Sequence, residues 1–451
     1  MIAVALLLLA VAGWLSVSAT RDLFSPSKFY LLMFATFHVG ICFFPYSLET
    51  WMLVLLVLMV GAMTAVFESQ TPARRAAPKN LPVPMPVPVP HRALDKRLFL
   101  VLWLISAGPI AAQLYMVQTL GGIEAYINSI GMRVLEWRGL GFLTIVIGMM
   151  APLNFVYFAA GLTRKRSVQW WALYGIHLGL LLALAAMTAS RSGFLNTFIM
   201  MAFVYHYVKK PLNPALVTIA GVAILSFALV LGAARNNFGF DNDGFRTGLE
   251  TSESIYEKQS FLYGVTPLDI IVENGPHDLA YGGTFATVFT NFIPRQFWPD
   301  KPETGGVVLT KVYTGDAWAG ASNLAPTFLG EFIINFGWAG IALYLVIYPL
   351  MMFLLVRRYR TVLANLRAER SARAVMDLII YLTVMTGFVA LMIGEFTNVI
   401  FIGIISKVIP VFILKRWYES FDRTTTKRPR RAPMFIRRRP VVVSLARRLT
   451  D

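Results

Sequence analysis

Two cations, Arg295 and Lys301, lie among aromatic residues and prolines in the segment 294–302, Pro-Arg-Gln-Phe-Trp-Pro-Asp-Lys-Pro. Proline fixes its own φ angle, so these side chains are carried on a stiff backbone. A guanidinium is always charged and binds two phosphate oxygens at once, and an ammonium adds a second positive charge. The segment, including Trp298, is therefore predicted to bind a phosphate-bearing leaving group. The alternative is an aromatic and basic belt at a membrane surface, without chemistry.

A carboxylate follows in the segment 326–337, Pro-Thr-Phe-Leu-Gly-Glu-Phe-Ile-Ile-Asn-Phe-Gly. Pro326 favours a helix start, and Glu331 and Asn335 then lie four residues apart on one face of that helix. Because apolar residues surround Glu331, its carboxylate must face a polar cavity or a partner. Glu331 is predicted to orient or deprotonate an attacking hydroxyl, with Asn335 beside it. A structural ion pair between Glu331 and one of the arginines is the alternative.

Arg191 lies in the turn 188–193, Thr-Ala-Ser-Arg-Ser-Gly. The apolar run 193–208 that follows has 16 residues. Its helical length is roughly 24 Å, which is less than the roughly 30 Å of a hydrocarbon core. The turn is therefore expected to lie recessed in the membrane, where an arginine needs an anion or a wet cavity. Snorkelling of the guanidinium to lipid headgroups is the alternative.

Two further arginines are predicted to contribute to the same phosphate site. Arg235 ends the next apolar run, in Gly-Ala-Ala-Arg-Asn-Asn, and a simple anchor at the helix end is its alternative role. Arg133 lies in the stretch 121–140, whose apolar residues recur near helical spacing. That stretch is predicted to form a helix in the outer interface of the membrane, either as a passive anchor or with Arg133 facing the site.

The composition places these residues in a polytopic membrane protein. Of 451 residues, 57% are apolar and 14% are charged, and the mean hydropathy is +0.61, which is too apolar for an ordinary soluble domain. We expect an all-α fold of about eleven transmembrane helices, each near the roughly 20 residues needed to cross a bilayer. The apolar runs are residues 1–19, 29–47, 51–67, 98–120, 141–162, 169–188, 193–208, 214–233, 331–356, 375–393 and 398–414.

Positive charge predicts the orientation of the chain. Alternate connections between the runs hold 31 of the 41 Lys and Arg residues, and such an excess is typical of cytoplasmic loops. The N-terminus is therefore expected outside and the C-terminus inside. The net charge of +17 is then mostly an orientation signal, which argues against a nucleic-acid partner. The basic tail is expected to lie against anionic membrane lipids.

This orientation divides the chain into four regions. A loop as long as the second region usually carries function in a compact protein, so the predicted site lies where this loop meets the outer helix ends. The regions are residues 1–233 with eight spans, a Pro-rich cytoplasmic linker at 68–97 and the interfacial stretch 121–140; the outer loop 234–330; residues 331–414 with three spans; and the cytoplasmic tail 415–451.

Neither a metal nor another cofactor is expected. The chain has one cysteine, Cys42, which rules out an intrachain disulfide and a cysteine-based metal site. The predicted cations could neutralise a departing diphosphate without a metal. Since ATP and nucleotide sugars are scarce outside the cell, the donor is expected to be a lipid-linked diphosphate activated in the membrane.

In these residues the sequence resembles the O-antigen polymerase family, the Wzy-type polymerases of oligosaccharide repeat units in bacterial envelopes. The resemblance lies in Ser-Arg-Ser-Gly at 190–193 and in the segments 294–302 and 326–337. It implies a GT-C-like glycosyltransferase in the bacterial inner membrane, with a periplasmic N-terminus and a cytoplasmic C-terminus. Where the family often has glycine before Ser-Arg, this chain has Ala189, which loosens the match at that turn.

The resemblance implies a reaction and its partners. Undecaprenyl-diphosphate-linked oligosaccharides would be joined into O-antigen, capsular or exopolysaccharide chains, with a chain-length regulator and a flippase of the same pathway as partners. Arg191, Arg235 and Arg295 with Lys301 would hold the diphosphate of the growing chain. Glu331 would orient or deprotonate the incoming sugar hydroxyl.

Two alternative functions stay open. An O-antigen ligase would use the same donor with a lipid A core acceptor, and similar cations would serve it. A transporter or flippase for lipid-linked sugars would be expected to place several charges within its spans, whereas in this chain Lys407 is the clearest such case.

Overall fold

The computed structural model describes residues 1–70, 92–130, 136–137, 139–163, 165–188, 191–234, 239–241, 244–246, 262–290, 293, 297–315, 324–368 and 371–426. Where these residues form regular structure, they are almost entirely helical, which confirms the predicted all-α class in its coarse form. The exception among them is one antiparallel pair of three-residue strands, β1 (Gly239–Asp241) and β2 (Gly244–Arg246), which the apolar pattern did not predict.

Ten helices lie in the described residues of the first half of the chain. Two of them begin with proline, whose missing N–H is no loss in a first helical turn. A 3₁₀ turn at Val39–Cys42 extends the second. The helices are α1 (Ile2–Ala19), α2 (Pro26–His38), α3 (Leu48–Gln70), α4 (Arg92–Thr119), α5 (Ile123–Ser129), α6 (Gly141–Gly148), α7 (Met150–Leu162), α8 (Val168–Met187), α9 (Arg191–Val208) and α10 (Pro214–Ala234).

Seven helices follow in the described residues from 262 onward. Two π-helical segments accompany them, Leu309–Tyr313 after α13 and Asn398–Ile405 before α17, and the 3₁₀ turn Gly337–Ala339 joins α14 to α15. The helices are α11 (Thr266–Asn274), α12 (Gly283–Thr290), α13 (Gly305–Val308), α14 (Thr327–Phe336), α15 (Gly340–Ala368), α16 (Ala372–Ala390) and α17 (Ser406–Thr426).

Eight helical stretches are long and apolar enough to cross a membrane, counted over the described residues. Two shorter apolar helices, Gly193–Val208 and Pro214–Ala223, accompany them. The fold is therefore that of a multi-pass helical membrane protein. The eight stretches are Ile2–Ala19, Leu48–Gln70, Arg97–Thr119, Gly141–Leu162, Val168–Met187, Thr327–Ala368, Ala372–Ala390 and Asn398–Ser420.

The second predicted run, 29–47, does not form one long helix. Helix α2 has 13 residues, and the following 3₁₀ turn ends at Cys42. Pro45 lies in the remainder of the run, and the residue before a proline is disfavoured in the helical conformation. The helical part of this run is thus shorter than the run of apolar residues.

The ninth predicted run, 331–356, is divided in two. Helix α14 ends at Phe336, and Gly337 takes a φ of 62°, a conformation that glycine adopts far more readily than other residues. A new helix, α15, begins at Gly340. Glu331 therefore lies on a separate ten-residue helix and not at the start of one continuous span.

Polar contacts join the loop helices to one end of the bundle, which we call the loop end. The N–H of Gly264 donates to the carbonyl oxygen of Phe37 in α2 at 3.2 Å. The hydroxyl of Thr50, near the start of α3, donates to Asp269 of α11 at 2.8 Å. The last turn of α2 and the first turn of α3 therefore lie at the same end, as neighbouring antiparallel helices must.

A second set of polar contacts closes the opposite end. Asp22, between α1 and α2, lies 3.3 Å from the Nε2 atom of His206 near the end of α9, and it also accepts a hydrogen bond from Tyr359 of α15. Glu68, near the end of α3, accepts from the N–H and the hydroxyl of Ser27 at 2.9 and 2.6 Å. Each end of the bundle thus has its own set of polar contacts between helices.

We predict that Gly340→Ala destabilises the protein, because a Cβ there would lie 2.2 Å from the carbonyl oxygen of Phe332. The Phe332 backbone cannot move aside as a flexible side chain can. The free energy of unfolding should therefore fall by about 1–3 kcal/mol or more. Gly175→Ala in α8 is the control, since a Cβ there meets nothing within 4 Å. Thermal unfolding in detergent measures both, and equal unfolding temperatures would contradict the prediction.

Candidate functional site

Glu331 of α14 is fully buried, and both oxygens of its carboxylate accept hydrogen bonds. The hydroxyl of Thr284 in α12 donates to Oε1 at 2.8 Å. The backbone N–H of Phe396 donates to Oε2 at 2.7 Å. Burying a carboxylate is costly unless such donors replace the lost water. Glu331 therefore fastens α12 and the segment after α16 to α14.

Asn335 lies one turn beyond Glu331 and joins the same network. Its amide nitrogen donates to the hydroxyl of Thr284 at 2.6 Å and to the carbonyl oxygen of Glu331 at 2.7 Å. Its side-chain oxygen accepts from the N–H of Gly282 at 2.8 Å. The predicted spacing of Glu331 and Asn335 on one helix face is confirmed, since both side chains meet at Thr284.

A second buried acid, Glu395, lies one residue before Phe396 and is 4% exposed. The N–H of Gly306 in α13 donates to its Oε2 atom at 2.5 Å. Burial raises the pKa of Glu395, while hydrogen bonds from Gly306 and Thr304 act in the opposite direction. Glu395 and Glu331 also interact electrostatically, which disfavours a negative charge on both at once.

Aromatic rings and the closely packed backbone of a glycine surround these acids and keep water away from them. Phe328 stacks on Phe396 at a centroid distance of 5.6 Å, and Phe285 meets Phe396 edge-on at 5.3 Å. A Cβ on Gly305 would lie 3.0 Å from the carboxylate of Glu331, so the backbone approaches the acid closely only because this residue is glycine. Hydrogen bonds in such dry surroundings are stronger than in water.

Threonines complete the network. The hydroxyls of Thr287 and Thr397 share a hydrogen bond of 2.5 Å, and the Thr397 hydroxyl also donates to the carbonyl oxygen of Thr284 at 3.3 Å. Thr327, at the start of α14, has a φ of 63°, which a β-branched residue rarely adopts. A non-glycine residue held at a positive φ costs about 1–3 kcal/mol of stability, and such residues are concentrated at functional sites. We call the set Thr284, Thr287, Glu331, Asn335, Glu395 and Thr397 the acid cluster.

Lys301 lies beside the cluster's helix α12. Its ammonium donates to the carbonyl oxygens of Ile293 at 2.7 Å and Thr290 at 3.4 Å, where a cation also complements the negative end of the helix dipole. Trp298 is 41% exposed. Lys301 thus has a clear anchoring contact, and the predicted binding of phosphate by Lys301 and Trp298 stays a prediction.

The predicted arginines are placed only in part. Arg191 begins α9, with its side chain outside the description. Arg133, Arg235 and Arg295 lie outside the described residues, and the interfacial stretch is helical over Ile123–Ser129. Their convergence on one site therefore stays a prediction. Within the described part of the chain, Glu331 is bound by neutral donors, and the alternative ion pair with an arginine is not among its contacts.

The predicted site residues did not include four members of the acid cluster, Thr284, Thr287, Glu395 and Thr397, or the donor Gly306. Glu395 had a sequence signal, since it is an acid at the edge of a strongly apolar run. Thr284 and Gly306 had none, because single threonines and glycines are common in a mixed loop. Their roles follow from the packing of α12 and α13 on α14.

The acid cluster could hold a proton and could orient a hydroxyl placed against it. The two carboxylates are the available acid and base groups, and the threonine hydroxyls and the Asn335 amide supply neutral donors and acceptors. In the described residues, His, Cys, Asp and Glu side chains form no group of three or more that could hold a metal ion.

Comparison with known proteins adds nothing to this description of the site. No family model, no curated protein and no solved structure matches the chain. The fold and the site define a multi-pass helical membrane protein with a buried acid cluster beneath loop helices at one end of its bundle.

We predict that Thr284→Val destabilises the protein, because it leaves Glu331 and Asn335 each short of a hydrogen-bond partner in a buried site. The cost should be about 1–3 kcal/mol for each group left unpaired. Thr290→Val, in the same helix, is the matched control, since the Thr290 hydroxyl is buried and has no partner in the described residues. Its removal should be neutral or stabilising. Thermal unfolding of both variants tests this, and a larger loss for Thr290→Val would contradict it.

Proposed function

We propose that this chain is a membrane glycosyltransferase that polymerises undecaprenyl-diphosphate-linked oligosaccharide repeat units into O-antigen, capsular or exopolysaccharide chains. The proposal includes a GT-C-like arrangement of eleven crossings in a bacterial inner membrane. The N-terminus and the loop end would face the periplasm, and the C-terminus the cytoplasm. A chain-length regulator and a flippase of the same pathway are the expected partners.

The acid cluster is the observation that carries the proposal. Two carboxylates, an amide and three threonines are buried together where loop helices cover the ends of the long apolar helices. Structural packing alone favours apolar side chains at such a place, because buried acids stabilise a fold poorly. Strained backbone at Thr327 beside the cluster supports a functional reading.

The proposed reaction joins two lipid-linked sugars. A hydroxyl oxygen of the incoming repeat unit forms a bond to the anomeric carbon of the growing chain, and the bond from that carbon to the diphosphate breaks. The hydroxyl proton moves to Glu331, and the diphosphate leaves with the electron pair and its negative charge. The predicted binding residues for diphosphate and sugar are Arg133, Arg191, Arg235, Arg295, Trp298, Lys301 and Asn335.

Glu331 is covered in this structure, so the hydroxyl can reach it only if α12 and α13 move. Covering loops that open for substrate are common in enzymes, and hydrogen bonds in the substrate-free state do not exclude a catalytic role. The competing assignment is that Glu331 only positions the loop helices.

We expect Glu331→Gln to separate these two roles. The glutamine oxygen can accept from the N–H of Phe396 while its N–H₂ faces Thr284, so the fold should keep its unfolding temperature. Loss of the base should lower polymerisation by about 10²–10⁴-fold. Glu303→Gln, a loop acid paired with Lys311 at 3.0 Å, is the control and should polymerise normally. Near-normal polymer from Glu331→Gln would assign Glu331 to positioning alone.

We also expect Arg191→Ala and Arg295→Ala to stop polymerisation while the protein stays inserted and abundant. A diphosphate leaving group needs fixed positive charge, and each arginine should contribute to it. Arg416→Ala, at a 65% exposed side chain in α17, is the control.

Polysaccharide length on gels, with immunoblots of membranes, gives the readout. Single repeat units on lipid acceptors are the expected product of the arginine variants. Long chains that stay undelivered would indicate a ligase, and full-length polysaccharide from either variant would refute the arginine assignment. Purified protein that moves lipid-linked sugar without forming a glycosidic bond would indicate a flippase.

A further inference from the structure

Lys407 lies in the last long apolar stretch, on the face of α17 that points into the protein. Val411, Leu414 and Tyr418 follow it at helical spacing, and they are 1%, 0% and 8% exposed. The lipid-facing side of the same helix carries exposed apolar side chains. They are Ile409, Phe412 and Ile413. Lys407 therefore points toward neighbouring helices and away from lipid.

The Lys407 ammonium has no partner in the described part of the chain. No carboxylate, carbonyl or hydroxyl there accepts a hydrogen bond from it, and it forms no ion pair with a described acid. Lys415, two turns further along the same helix, shows the usual arrangement, since it is paired with Asp377 at 2.5 Å. An unpaired charge inside a membrane protein is costly and marks a functional site by default.

The position of Lys407 argues against the simplest alternative, a lysine that snorkels to the membrane surface. Lys407 lies at least nine residues from either end of the candidate span Asn398–Ser420, which is about 12 Å or more along a helix and further than a lysine side chain extends. The side chain lies on the buried face of α17, yet it keeps part of its surface open. Such a side chain lines an interior recess.

Local backbone supports a functional reading of this recess. The π-helical segment Asn398–Ile405 ends two residues before Lys407, and π-helical turns inside helices are frequent at functional sites. The same segment begins three residues after Glu395 of the acid cluster. One short stretch of chain therefore connects the buried acids at the loop end to the unpaired cation deeper in the bundle.

We propose that Lys407 is the cationic wall of an interior recess that binds a phosphate group carried on a lipid. An ammonium is a common phosphate ligand as a point charge, and an apolar tail lets such a ligand enter between helices from the bilayer. The identity of the carrier as a polyprenyl diphosphate rests on the proposed function. Anion binding by Lys407 does not.

Direct binding to the purified full-length chain in detergent tests the proposal. The variants are Lys407→Met, which keeps an unbranched side chain one atom shorter and removes the charge, and Lys407→Arg, which keeps the charge. The control is Lys415→Met. The ligands are undecaprenyl diphosphate, phosphatidylglycerol and inorganic pyrophosphate, each measured by native mass spectrometry. We expect Lys407→Met to bind undecaprenyl diphosphate at least tenfold more weakly, Lys407→Arg to keep part of the affinity, and Lys415→Met to stay within twofold of the unmodified chain.

Thermal unfolding without ligand provides an independent readout. Lys407→Met should unfold at a higher temperature than the unmodified chain, because it removes an unpaired charge from the inward face of α17. Lys415→Met should unfold at a lower temperature, because it leaves Asp377 without its partner. A lysine that served packing alone would lower the unfolding temperature when replaced and would leave binding unchanged.

Each binding outcome decides a separate point. Binding that depends on Lys407 for any of the three ligands supports the anion site, and dependence for undecaprenyl diphosphate alone also supports the proposed carrier. Unchanged binding of all three ligands by Lys407→Met overturns the proposal. No sugar is transferred in these measurements, so a chain that binds through Lys407 but never polymerises would reject the proposed function and leave the anion site standing.

Discussion

The loop end of this protein depends on the burial of one carboxylate. Glu331 lies among aromatic rings with no exposed surface, and it is tolerated there because a threonine hydroxyl and a backbone N–H donate to its two oxygens. Those donors come from α12 and from the segment after α16, so three segments distant in sequence are fixed by one side chain. The neighbouring acid, Glu395, repeats the arrangement with α13 through Gly306. The loop helices are thus held by polar contacts that packing alone would not specify.

Much of the fold was predictable because lipid imposes long apolar helices on any chain that crosses it. The long described helices follow the apolar runs, and they depart from them at particular residues. Pro45 lies in the shortened second run, and Gly337 ends α14 with a positive φ. A count of apolar residues cannot reveal such breaks, since they depend on backbone conformation and on close packing like that of Gly340 against Phe332. The strand pair β1 and β2 has no apolar signal at all.

The site was predictable where local spacing decides it. Glu331 and Asn335 share a helix face because they are four residues apart, and the sequence alone shows that. Thr284 and Gly306 reach the same place through tertiary packing across the loop, which no local pattern encodes. Lys301 illustrates a further limit: its charge indicates a phosphate ligand, while its described contacts cap the end of α12. The type of a residue limits the groups that it can bind, and the surrounding backbone decides which of those groups it contacts.

The shared partner at the centre of the acid cluster makes its opening cooperative. Thr284 donates to Glu331 and accepts from Asn335, while Asn335 also holds the N–H of Gly282 at the start of the same helix. Lifting α12 therefore breaks all of these bonds together, and few stable half-open forms should exist. Under the proposed function, water would then reach the acid only during the brief openings that also admit a sugar, so the contacts that build the fold would also suppress hydrolysis of the activated donor.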